Sequence, residues 1–279
     1  LTAYIGLELL SFSLYILVSF GRDSDRSNEA GVKYIILGAF ASALLLYGIS
    51  LVYGVVAQSD VNEIPTSFAA IHNYILFREA ISPTLTVGLV LILVGLGFKV
   101  AAVPFHMWAP DVYEGAPLPI TAYLAVASKA AAFALFLRLF SSAFMPAKAE
   151  WALIIALLAA VTMTVGNLAA LAQHNIKRLL AYSSVGQVGY LLVGVASLSS
   201  SSSNAIMLHL VGYGVTTMAA FVAVIAFYNA TGKEEIKDFA GLADRNPLVA
   251  MALTVSMFSL AGLPIFAGFI TKFYLFAAA

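Results

Sequence analysis

Residues 117–140 read PLPITAYLAVASKAAAFALFLRLF, a run of apolar and small residues with one lysine, Lys129, near its middle. A hydrocarbon core of about 30 Å is crossed by roughly 20 residues at a 1.5 Å helical rise, so this run is long enough to span a bilayer. A basic residue at that depth costs roughly 2.5–3.5 kcal/mol on insertion scales, and such residues normally face a protein interior and act there. The fold and the chemistry of the chain therefore meet in this one segment.

The rest of the sequence extends the pattern. Hydrophobic residues make up 62% of the chain and charged residues 10%, against about 45–50% and 25% in ordinary soluble domains. This is the composition of an integral membrane protein. Apolar runs fall at about 1–20, 30–57, 82–103, 118–144, 150–172, 176–198, 204–229 and 247–276. All eight are expected to be helices, because backbone in lipid must satisfy its own hydrogen bonds and the runs lack the alternation of barrel strands. The expected fold is thus an all-α, polytopic membrane helix bundle. Residues 1–279 read as a single transmembrane domain, and because both ends stop inside apolar runs, it is expected to be truncated at both.

Alternate links differ in charge. One set carries Arg22 and Arg26, then the stretch PFHMWAPDVYEGAP, then Lys177 and Arg178, then Lys233, Lys237 and Arg245. The other carries Arg78, Arg138 and Lys148, and a serine run at 199–203. Positive-inside reasoning puts the first set in the cytoplasm or its equivalent. Segment 64–80, too short and polar to span, is expected to lie along the opposite interface.

Glu8 lies about 18 Å by helical rise from the polar exit GRDSDRSNE, near mid-bilayer like Lys129. The two can be a proton path or a structural ion pair. Lys33, Lys99 and Lys177 sit within a turn or two of span ends, where long side chains snorkel to the interface. His209 can relay protons, since histidine titrates near pH 6.5, or can be a neutral core residue. Tyr182 and Ser183, with Ser184 and Gln187, can hold water beside Lys177 or serve as polar packing groups. The tripeptide LPI precedes both Lys129 and Lys272. Its prolines, Pro119 and Pro264, each remove a backbone donor, so both spans are expected to be kinked or broken, as in the paired interrupted helices of transporters.

Other chemistry finds no foothold. The chain has no cysteine, which excludes thiolate metal sites and iron–sulfur clusters on it. No phosphate-binding glycine loop, histidine pair at metal spacing or nucleophile elbow is present, so no cofactor-binding or metal residues are expected. Net charge is zero, with 14 basic and 14 acidic residues, and nucleic-acid binding is not expected.

The segments FKVAAVPFHMWAPDVYEGAPLPITAYLAVASKAAAF, NLAALAQHNIKRLLAYSSVGQVGYLLVG and SLAGLPIFAGFITKFYLF strongly resemble the antiporter-like membrane subunits of respiratory complex I. Within them, WAPDVYEGAP and Lys272 are most similar to the N-type. LELLSFSLYILVSF and RSNEAGVKYIILGAFASALLLYG extend the resemblance over nearly the whole chain. It implies an inverted-repeat, antiporter-like fold of fourteen helices, of which these would be the fifth to twelfth, two of them broken. The family's proton-conducting glutamate on the fifth helix and lysines on the broken seventh, the eighth and the broken twelfth carry over to Glu8, Lys129, Lys177 and Lys272. For Lys177 this displaces the interfacial reading, while Lys33, Lys99 and His209 keep no assigned role.

The implied function is a proton-translocating membrane subunit of a complex I-type NADH:quinone oxidoreductase, a translocase without a redox centre of its own. NADH, FMN, iron–sulfur clusters and quinone are expected in partner subunits, and other complex I membrane subunits and the lipid bilayer are the expected partners. The implied setting is the bacterial inner membrane, with an organelle or thylakoid membrane as the alternative. In the expected mechanism Glu8 pairs with Lys129, and weakening of that pair releases a proton toward Lys177 and then Lys272. A cation/proton (Na+/H+) antiporter subunit is the alternative function.

Overall fold

A computed structural model describes residues 1–58, 64–78 and 81–279. Among them there is no strand; an isolated bridge pairs Asn175 with Glu235. The helices are α1 (Thr2–Val18), α2 (Asp25–Val56), α3 (Phe68–Leu76), α4 (Pro83–Val100), α5 (Trp108–Gly115), α6 (Leu118–Tyr123), α7 (Lys129–Arg138), α8 (Lys148–Leu171), α9 (Ile176–Ser197), α10 (Ser200–Thr231), α11 (Leu242–Arg245), α12 (Pro247–Ala261) and α13 (Ala267–Ala277). Among the described residues six helical stretches are long and apolar enough to cross a membrane, with α1, α12 and α13 as shorter apolar helices. The chain is a multi-pass, all-helical membrane bundle.

Polar residues at the ends of the apolar runs set where helices begin. Ser24, Ser82 and Asn246 accept backbone N–H groups at the starts of α2, α4 and α12, and Ser199 with Ser202 forms a reciprocal cap on α10. Each such cap satisfies backbone donors that the first turn of a helix leaves without an intrahelical partner. Asn175 does the same for α9, its Oδ1 accepting from the Lys177 and Arg178 amides, and so fixes where both basic side chains leave the helix.

The two LPI segments behave differently. In the second, α12 ends on Gly262 at φ 83° and α13 resumes at Ala267, with Pro264 in the gap and Ile265 at φ 82°. A Cβ on Gly262 would be strained at that φ and would lie 3.3 Å from the Lys272 ammonium. The expected break at Pro264 is present. Pro119, by contrast, occupies the first turn of α6, where its missing N–H has no intrahelical bond to lose. The expectation of a break at Pro119 is therefore corrected: the irregularity lies further on, in a π-helical turn at Leu124–Ser128 that ends immediately before Lys129, with a second at Leu139–Ala143. Such turns loosen the backbone ladder and recur at functional sites. Here the Ala125 carbonyl takes a hydrogen bond from Tyr213 of α10, 2.9 Å away.

The links with the expected cytoplasmic charges come together on one face, as the ion pairs below require. On the opposite face α3 packs by Ala70, Ile71, Tyr74 and Ile75, and His72 meets the Ser142 carbonyl at 2.7 Å. The expected interfacial segment 64–80 thus contains a helix at 68–76; its residues 79 and 80 lie outside the described residues. Lys148, also on this face, donates to the Leu198 carbonyl at 3.0 Å. α8 and α9 pack closely where Gly166 meets Gly186 and where Gly189 meets Met163, since a Cβ on Gly166 would lie 2.6 Å from the Gly186 nitrogen and one on Gly189 2.6 Å from the Met163 nitrogen. Small residues at such crossings let membrane helices pack backbone to backbone, and these contacts hold α9 close against α8.

Candidate functional site

Buried lysines occur in two kinds of surroundings. The first kind is matched by a carboxylate. Lys99, in the last turn of α4, reaches Glu8 of α1 at 3.2 Å, and its ammonium also donates to Ser11 at 2.6 Å and Ser42 at 3.3 Å. Ser42 in turn donates to Glu8 at 2.7 Å. The two side chains are 8% and 14% exposed, so Lys99 does not snorkel. This corrects two expectations: Glu8 pairs with Lys99 and not with Lys129, and Lys99 is an interior residue. If α1 is counted as the fifth family helix, α4 is the seventh, so the seventh-helix lysine is Lys99; Lys129 stands on the eighth and Lys177 at the start of the tenth.

Lys177 is the second matched lysine. It lies 2.8 Å from Glu234, which follows α10, and Asn175 also contacts that carboxylate at 3.4 Å. Lys177 is 5% exposed, buried at a helix start by the loop that folds over it. An open cavity of about 780 Å³ adjoins the pair, with Arg26, Glu114, His174, Lys177, Glu234 and Asp238 among its lining residues.

The second kind of surrounding is neutral. Lys129 is 1% exposed; its ammonium donates to Ser184 of α9 at 2.6 Å and lies 6.0 Å from the centre of the Tyr113 ring. Lys272 donates to the Leu260 carbonyl, left free by the break after α12, at 2.6 Å, and lies 4.5 Å from the centre of the Tyr190 ring. Among the described residues neither lysine has a carboxylate within 4 Å. Beside Lys272, the His209 ring meets the Thr271 hydroxyl at 2.9 Å through Nδ1, while its buried Nε2 has no partner among the described atoms. Of the residues expected near Lys177, Tyr182 instead neighbours the His106 ring, with centroids 6.2 Å apart; Ser183 is half-buried. Ser184 belongs to Lys129, and Gln187 donates to the Leu260 carbonyl at 2.9 Å.

Lys33 takes part in a different cluster, on the charged face. It bridges Glu29 at 2.7 Å and Asp111 of α5 at 2.9 Å, while Arg178 of α9 pairs with Asp111 at 2.9 Å and Glu114 at 2.8 Å. Partial burial pushes the Asp111 carboxyl up, but hydrogen bonds from Lys33 and Arg178, and their charges, outweigh it and hold it below the ordinary 3.8. A depressed carboxyl contributes stability that is complete above its ordinary value and is lost as pH falls through the lower folded value. Asp111 is about a third exposed, so roughly 0.2–1 kcal/mol is at stake. Asp111→Asn is therefore expected to lower the thermal midpoint of the detergent-solubilised protein slightly at pH 7 and to leave it unchanged at a pH low enough to protonate the carboxyl in the folded protein, as read by a melting series. An equal loss at both pH values would mean that the ion pairs do not hold α5.

Reading along the chain missed Asp111, Glu114, Arg178 and Glu234 as partners, as well as Ser11 and Ser42. Asp111 and Glu114 share a face by their i, i+3 spacing and could have been flagged on that ground. Nothing local distinguishes Glu234 from its neighbour Glu235.

Comparison with known proteins gives the family and the fold. The family described as NADH:quinone oxidoreductase/Mrp antiporter, transmembrane, matches residues 1–279. The chain belongs to this family. NADH-quinone oxidoreductase subunit N of Moorella thermoacetica is 50% identical over 273 residues, covering 98% of this chain and 56% of the relative. The subunit of the same name from Desulforamulus reducens is 47% identical over 276 residues, covering 99% and 56%. The chain thus spans about half the length of the curated relatives it matches. Among solved structures, respiratory complex I from Thermus thermophilus aligns with a TM-score of 0.78 at 36% identity, covering 99% of this chain and 57% of that one. A chain of the Mrp complex from a Dietzia species aligns with a TM-score of 0.87 at 28% identity, covering 99% and 50%.

Proposed function

We propose that this chain is proton-translocating machinery of a complex I-type NADH:quinone oxidoreductase, in the N-type subunit, working in a bacterial inner membrane beside other membrane subunits of that complex. The observation that carries this reading is the division of the buried lysines. Lys99 and Lys177 are each neutralised by a carboxylate, whereas Lys129 and Lys272 are held by a hydroxyl, a carbonyl and ring faces. Neutral partners can hold either an ammonium or an amine, so a lysine so placed can give up a proton and take one back. In this scheme Lys129 releases a proton to water and becomes an amine, Lys272 accepts one, and the two ion pairs supply the fixed charges that bias the exchange. Energy comes from electron transfer in partner subunits carrying NADH, FMN, iron–sulfur clusters and quinone.

The Mrp likeness supports a second reading, a Na+/H+ antiporter subunit. Membrane vesicles bearing the whole complex separate the two. NADH-driven acidification that is independent of sodium and stops with a quinone-site inhibitor supports the first reading. Sodium-dependent proton exchange without NADH, in purified protein lacking quinone reductase activity, would replace it with the second.

A further inference from the structure

One face of α9 touches both neutrally held lysines. Ser184 accepts the Lys129 ammonium at 2.6 Å. One turn later Gln187, 5% exposed, donates to the Leu260 carbonyl at 2.9 Å, and this is the oxygen on which Lys272 docks at 2.6 Å. One turn further again, the Tyr190 ring lies against that same ammonium, and its hydroxyl is anchored by Asn167 of α8 at 3.2 Å. The spacing i, i+3, i+6 turns by about 60° at each step, so the three side chains fan around α9 from the Lys129 site to the Lys272 site, and the Gly166–Gly186 contact holds α9 close against α8. The carbonyl itself belongs to a broken helix end, where no amide of its own helix reaches it. Gln187 thus ties this carbonyl to α9, while the neighbouring Ser259 hydroxyl meets Thr216 of α10 at 3.1 Å.

We propose that Gln187 is a positioning residue: it fixes the Leu260 carbonyl as the docking oxygen for Lys272 and, through the turn it shares with Ser184, keeps the Lys129 and Lys272 sites in register. The inference rests on the proton-translocation reading. Loss of the bond releases the Leu260 carbonyl from α9, although Ser259 still meets Thr216 of α10, and the two lysines lose their common reference.

The test uses the complete complex in membrane vesicles, driven by NADH and a short-chain quinone, with protons moved per electron measured in whatever complex assembles. Gln187→Met keeps length and removes the donor. It is expected to lose at least half of what Lys272→Met loses, and the double variant Gln187→Met/Lys272→Met is expected to lose no more than Lys272→Met alone, as for groups acting as one unit. Gln187→His, which offers a donor at similar reach, is expected to restore most of the ratio. If Gln187→Met fails to assemble, Gln187→Leu, which also lacks a donor and brings no charge, takes its place with the same outcomes. A normal ratio for the Gln187 variant beside a reduced one for Lys272→Met overturns the positioning role and leaves the translocation reading intact. A normal ratio for Lys272→Met and Lys129→Met alike removes the translocation reading itself.

Discussion

Lys129→Met is expected to leave the complex assembled in normal amount and to slow proton-coupled quinone reduction by about 100-fold, the low end of what a positioned proton-transfer group typically contributes. Methionine fills nearly the same volume, so the packing around the π-helical turn at Leu124–Ser128 and around Tyr113 is kept. The partners left behind are the Ser184 hydroxyl, which still donates to the Ala181 carbonyl at 2.9 Å, and an aromatic face. Neither is a charge. The substitution also removes the roughly 2.5–3.5 kcal/mol cost of carrying a basic residue in mid-membrane. Stability and activity should therefore move in different directions, measured by native-gel quantity against protons moved per electron. Normal translocation with normal assembly would show that Lys129 carries no proton.

Lys99→Met is expected to do the opposite, destabilising the protein by about 3–5 kcal/mol, because it strands the Glu8 carboxylate in a buried site. Glu8 would keep the Ser42 hydroxyl, but Ser11 and Ser42 together cannot replace an ammonium that bonds to all three groups. The double variant Lys99→Met/Glu8→Gln is expected to recover most of the loss, since a neutral amide can be satisfied by the same two serines. Thermal midpoints and yields of the solubilised complex for the two single variants and the double close the cycle. Should Lys99→Met prove as well tolerated as Lys129→Met, the division of lysines into charge-matched and neutrally held would have no energetic basis.

The architecture was largely legible before any coordinates. Seven of the apolar runs correspond to single helices or helical stretches with shifted ends, and the eighth to the pair α12 and α13 separated at Pro264. The grouping of Arg26, Lys177 and Lys233 on one face followed from alternation of links alone, and all three now line the same cavity. Pro119 was misleading because a proline costs little in a first turn and much in a helix interior, and hydropathy does not mark which turn is first. The π-helical turns left no trace in composition.

Partnerships were less legible, and Glu8 and Lys129 illustrate why. Depth in the membrane can be counted along one helix at 1.5 Å per residue, and both residues count to the same level. Depth says nothing of azimuth, which turns by about 100° per residue, nor of which helix stands opposite. Glu8 finds Lys99, not Lys129, because α1 and α4 both pack on α2, which brings Ser42 between their charged side chains.

The amino-acid sequence by itself determined that the chain lies in a membrane, how many times it can cross, which ends carry charge and that Glu8 and Lys129 must be sheltered. Those properties are sums over neighbours along the chain, set by transfer free energy and helical rise. Only the tertiary structure decided which carboxylate meets which lysine, which lysines have none, and that Ser184 and Gln187 lie between two of them. Those properties depend on contacts between distant segments, where close packing at glycines and an opened helix end select one arrangement among many with the same hydropathy.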